Sequence, residues 1–130
     1  AALAEIGSYG GDLNEALNAI RRAKLLHPHH GAFYHWIEGH ILFHLESYSE
    51  AQLFLESAAD GSPGFLDGLL TLSANYGQQS DEKAAAAALE KATSLKPDLS
   101  LRVEIERAPY RYADRRVRIE DGLRAVGLLD

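Results

Sequence analysis

Two histidines one helical turn apart, His40 and His44, come nearest to metal chemistry, because imidazoles at i and i+4 share one side of a helix. All six histidines fall between His27 and His44. The residues between the pair, Ile41, Leu42 and Phe43, supply no glutamate, so the HExxH arrangement of zinc hydrolases is missing. Two imidazoles make only half of a structural site, and no metal is expected. His27, His29 and His30 read as solvated loop residues. Carboxylates are plentiful but fall at helix starts and on outward faces, so they yield no acid and base held in a cleft. The glycines form neither GxGxxG nor a Gly-Lys-Ser/Thr loop, which leaves nucleotide phosphates without a cradle. Gly61-Ser62-Pro63-Gly64 is no nucleophile elbow, since proline follows the serine; it reads as a turn. Neither catalysis nor a cofactor is expected.

Arg107, Arg111, Arg115, Arg116 and Arg118 make one basic cluster, opposed within that interval only by Asp114. It reads as a solvated helix face with local ion pairs, or as a docking patch for an acidic partner domain. The rest of the chain is acidic: net charge is −6 overall, −7 over residues 1–101 and +1 over residues 102–130. An acidic body argues against a nucleic-acid surface, which needs clustered Lys and Arg. No apolar run approaches the ~18 residues of a membrane span. With 130 residues, 46% hydrophobic and 25% charged, the chain is sized for one domain with a sizeable core. It contains no cysteine, so neither disulfides nor thiolate zinc enter. Opening at Ala1 and lacking methionine, it reads as a piece of something longer, soluble and cytoplasmic.

The elements that position these residues follow from a repeat. Pro28, Pro63 and Pro97 lie 35 and 34 residues apart. Five residues before each stand Ala23, Ala58 and Ala92, and seven before those Ala16, Ala51 and Ala85, with Ile20, Leu55 and Leu89 midway. Twelve residues earlier come Ala4, Gly39 and Ser73. Small residues in register let two antiparallel helices approach, a large aliphatic fills the gap beside them, and proline ends the unit. Asp12, Ser47 and Asp81 stand where helix N-caps belong, and Asp12 with Glu15 and Ser47 with Glu50 fit the capping box. Turns are expected at Tyr9–Gly11, Leu45–Glu46 and Gly77–Gln79.

This frame resembles the tetratricopeptide repeat, a unit of ~34 residues with small, large and proline positions at these offsets. The resemblance implies an all-α, right-handed superhelix of antiparallel helix pairs. It divides the chain into a partial repeat over 1–30, repeats over 32–65 and 66–99, and C-terminal capping helices over 100–130. His35 and Glu38 stand where the family places apolar residues, and Gly7 replaces a bulky one, so repeat two admits a shift of one residue. In the capping stretch Ser100 and Asp114 are the expected caps, and Leu101, Ile105, Ile119, Leu123 and Val126 the buried face, closed by Gly127. Ala108-Pro109-Tyr110-Arg111, Gly122-Leu123-Arg124 and Gly127-Leu128 are similar to the end of tetratricopeptide regions in proteobacterial adenylate or guanylate cyclases and winged-helix transcription regulators.

Phe33, Trp36, His40, Phe43 and His44 form one stripe at helical spacing, and Tyr34, Ile37, Ile41 and Leu45 a second. Such a helix either packs on two neighbours or offers one side to a ligand. The resemblance implies the second: first helices line a concave groove, here with Glu5 and Tyr9 from repeat one, the Phe33 stripe from repeat two, and Asp67, Leu70, Ala74 and Gln78 from repeat three. The alternative is interior packing of the aromatics, and a register shift would instead expose His35, Gly39 and Leu42. No lysine and asparagine set stands ready to clamp a terminal carboxylate. The expected function is thus a non-catalytic protein-interaction or regulatory module at the end of a larger bacterial signalling protein, binding a protein or peptide segment or another domain of its own parent. The alternatives are a metal- or small-molecule-binding sensor built on the histidine-rich helix and a structural dimerisation unit.

Overall fold

A computed structural model describes residues 12–29, 31–107 and 113–129, the side chains of Arg107 and of 113–116 excepted. Seven α-helices and no strands occur among the described residues: α1 Leu13–Leu26, α2 Ala32–His44, α3 Tyr48–Gly61, α4 Leu66–Gln78, α5 Glu82–Leu95, α6 Leu101–Arg107 and α7 Ala113–Ala125.

Three helix starts are capped by the side chain that precedes them. Asp12 caps α1 by accepting from the Asn14 and Glu15 amides at 2.9 and 3.3 Å, and Asp81 caps α5 by accepting from the Ala84 amide at 3.1 Å. Each such cap contributes ~1 kcal/mol. Ser47 stands at the N-cap of α3 but makes no side-chain cap bond, and Glu50 turns instead to Arg21 at 2.9 Å. An ion pair between two helices thus takes the place of the expected capping box. Ser100 does cap α6, its hydroxyl 3.4 Å from the Val103 amide. Asp114 lies inside α7, which opens at Ala113, and is not its cap.

Three helices end alike. The amides of Ser47, Asp81 and Leu128 donate to the carbonyls of Leu42, Tyr76 and Leu123, closing the six-residue loop of a Schellman motif on α2, α4 and α7. The motif needs a left-handed residue, supplied by Gly127 at φ 76° and, against steric preference, by Glu46 at 63° and Ser80 at 60°.

The helices pair α2 with α3 and α4 with α5, while α1 packs on α2. The two first helices are buried on every side, from Trp36 to His44 in α2 and from Gly68 to Gly77 in α4. The second helices bury one stripe each: Ala51, Leu55 and Ala58 in α3, and Ala85, Ala88 and Ala92 in α5. An inner layer of first helices is therefore sheathed by an outer layer, as helices apolar all round and helices apolar on one face respectively require. The small-residue column is the seam. At Gly39 an added Cβ would stand 2.8 Å from Leu55 Cγ, and the Ser73 hydroxyl donates to the Ala85 carbonyl at 2.8 Å. Gly39 against Leu55 fixes the register of repeat two without a shift, and Leu42 is likewise interior.

Past α5, Leu99 and Leu101 pack with Leu69, Leu70 and Ala92, and Ile105 joins the main core. Helix α7 then lies across α4. Cβ atoms added at Gly77 and Gly122 would fall 1.8 Å from the Gly122 carbonyl oxygen and 2.3 Å from that of Ala74, so the two backbones touch. Ile119 and Leu123 are buried beside this crossing, and Val126 is half-buried. The Gln78 amide donates to the Arg118 carbonyl at 2.9 Å.

Candidate functional site

The aromatic stripe of α2 is a ladder of touching rings. Phe33 stacks on Trp36 at 5.8 Å between centroids, Trp36 meets His40 at 4.9 Å, and His40 meets His44 at 4.6 Å. Spacing of three and four residues brings them together, since such residues are neighbours along one helix face. Phe65, from the connection into α4, meets the Trp36 ring edge-on at 5.0 Å.

The open stripe expected here is an interior one apart from its first member. Trp36 is 2% exposed; Phe43, His40 and His44 are buried with it, as are Leu70 and Ala74 in α4. The physical reason is that an inner helix has neighbours on both apolar faces. For α4 the covering element is α7, which seats on Ala74 and Gln78, two of the positions assigned to the groove. Phe43 turns toward Tyr48 at 5.7 Å, packing within its own helix pair. Phe33 alone among the described ring residues of the stripe stays accessible, at 44%. With Phe65 and the small residues Gly31, Ala32 and Gly61 it lines a cleft of about 370 Å³. Tyr9 and Glu5 lie outside the described residues.

The arginine cluster resolves in part. Arg118 is not a free docking residue, because its guanidinium donates to the His44 carbonyl at 2.9 Å and lies 3.8 Å from Glu46. The same Arg118 bonds Tyr48, whose phenol is nonetheless pushed up by burial and by the Glu46 charge. Arg111 and the side chains of Arg107, Arg115 and Arg116 lie outside the described set.

Two further features bear on the site. Asp67 stands in the first turn of α4; partial loss of hydration, and then the charge of Glu104, raise its carboxyl above the ordinary value. In α4 as well, the Tyr76 hydroxyl donates to Glu56 in a short bond, and burial followed by that bond raises the phenol so that it stays protonated.

The polar misfit noted at His35 and Glu38 has partners that sequence reasoning missed. Glu38 is 3% exposed and takes Lys24 at 2.6 Å and Arg21 at 3.1 Å, while Lys24 also lies 3.1 Å from His35 Nδ1 and 4.2 Å above the Phe54 ring. The signal was present: Arg21 and Lys24 are three residues apart on α1 and face one way. This cluster joins α1, α2 and α3 structurally. Among the described residues no three His, Asp or Glu side chains gather as a metal would require. No described helix is long and apolar enough to cross a membrane.

Residues 66–99 match the tetratricopeptide repeat. That span holds α4 and α5 and the connection beyond them. No curated protein and no solved structure matches the chain. The match and the all-helical paired architecture make this a tetratricopeptide-like helical solenoid. Such repeats generally mediate protein–protein interaction and are typically non-catalytic.

Proposed function

We propose that the chain is a protein-interaction module that receives a partner segment at the apolar cleft marked by Phe33. The observation that carries this reading is the contrast within one stripe: Phe33 is 44% exposed while Trp36, stacked beneath it, is 2% exposed. A partner side chain would meet an accessible aromatic already immobilised from behind, which lowers the ordering cost of binding. Trp36, His40, Phe43 and His44 then act as rigid backing and not as contacts. We read the parent as a larger cytoplasmic bacterial signalling protein of the cyclase or winged-helix regulator kind, on the likeness of the closing stretch. Within that stretch Gly122 makes the backbone crossing with α4, a packing role, and Gly127 supplies the left-handed residue that closes α7, a conformational one.

The test is a displayed-peptide selection against the intact chain. A convergent apolar motif is expected, and its binding should fall at least tenfold in Phe33→Ser while thermal stability holds. Failure of any motif to converge, or binding indifferent to Phe33→Ser, would remove the cleft from consideration.

A further inference from the structure

We infer that the segment received at the Phe33 cleft carries a large apolar side chain with a lysine or arginine within four residues of it, the cation docking on Asp67. The inference names the partner chemistry of that cleft and rests on the reading of it as the partner site.

The fold sets Asp67 beside Phe33. Each is the second residue of an inner helix, α2 from Ala32 and α4 from Leu66. Short connections fold α3 back on α2 and α4 back on α3, so α2 and α4 run the same way, and they touch. Phe33 and Asp67 therefore leave the same end of the inner layer. The next residue, Gly68, holds α4 against the ring ladder: a Cβ added there would lie 3.0 Å from Phe65 Cδ2 and 3.3 Å from Trp36 Cδ1. Phe65, which lines the cleft with Phe33, stands two residues before Asp67.

The carboxylate lacks a counter-ion. Among the described residues no cation pairs with Asp67. The charge that acts on it is that of Glu104, of the same sign, and partial loss of hydration adds to that disfavour. Lys96 is engaged by Glu104 in a close ion pair. The cleft lining, Phe33 and Phe65 with small residues, carries no charge either. An apolar cleft beside an uncompensated, partly dehydrated carboxylate is complementary to a segment that is apolar at one point and cationic at the next. Four extended residues reach about 14 Å, enough to span packed helices about 8–10 Å apart. An acidic segment is opposed by Asp67 and Glu104 locally, and by the net charge of −7 over residues 1–101.

A charge-swap selection tests the pairing. The displayed-peptide library is panned in parallel against the intact chain and its Asp67→Lys variant. The unaltered chain should enrich Lys or Arg within four residues of the apolar anchor, and Asp67→Lys should exchange that preference for Asp or Glu. An apolar motif with no charge preference in either selection, or an acidic motif on the unaltered chain, would overturn this inference and leave the Phe33 cleft standing; no convergent motif would overturn both. The selected basic peptide, carrying a fluorescent label, should bind Asp67→Asn at least fivefold more weakly than the unaltered chain, and added NaCl should weaken it more on the unaltered chain than on Asp67→Asn. Should Asp67→Lys fail to fold, Asp67→Asn decides: equal affinity for it and the unaltered chain would overturn the pairing, while loss of binding in Phe33→Ser would still assign the cleft.

Discussion

Lys24 Nζ lies 2.6 Å from Glu38 Oε1, an ion pair with both side chains largely removed from water, at 13% and 4% exposure. A charged pair at this depth is retained at a cost in desolvation that its mutual attraction must offset. Its three-helix setting ties the first repeat to the second.

The pair should respond asymmetrically to mutation. Lys24→Met leaves the Glu38 carboxylate with Arg21 as its remaining described cation and is expected to cost about 3 kcal/mol. Glu38→Leu removes the buried charge itself, leaves Lys24 able to reach solvent along its stem, and should cost less than half of that. Urea unfolding of the two variants checks the order; a larger loss in Glu38→Leu would refute it.

Trp36 should report an interior environment. As the sole tryptophan, at 2% exposure, it is expected to emit at short wavelength and to resist acrylamide. Trp36→Ala should cost ~3–5 kcal/mol, the range for emptying a core of a large aromatic. Ready quenching in the free chain, with little loss of stability in the variant, would return Trp36 to an open face.

Stability should carry a pH signature from Asp67. Its folded carboxyl titrates above the ordinary carboxylate value, so the unfolded state releases that proton first. The contribution favours the fold below the unfolded value and is lost as pH rises through the folded one. Asp67→Asn should therefore raise Tm at pH 7 and leave its own stability flatter between pH 4 and pH 7. The Glu104 side of the interaction gives the control, because Glu104→Gln should lower the Asp67 value when the carboxyl is followed by NMR.

Much of the architecture was legible because it is local. Asp12, Asp81 and Ser100 cap as their types require, and Gly39 meets Leu55 while Ser73 meets Ala85, as the register of small residues demands. The accessibility of the site was not legible, since it depends on what covers each inner helix. Trp36 and Phe33 are indistinguishable by spacing, yet one is interior and the other is not. The contact of Arg118 with His44 joins residues 74 positions apart, beyond the reach of any periodicity. Glu38 looked anomalous for a related reason: its partners lie on the preceding helix, and the family's apolar preference at that position says nothing about them.

The two-layer arrangement also decides where the molecule can be handled. Inner helices α2 and α4 have no outward side along their central turns, so any probe attached there must displace packing. The outer helices offer positions such as Leu53, 66% exposed on α3, in a chain with no cysteine of its own. A single thiol introduced at Leu53 would take a dye, a spin label or a surface tether with one defined attachment point and the inner faces untouched.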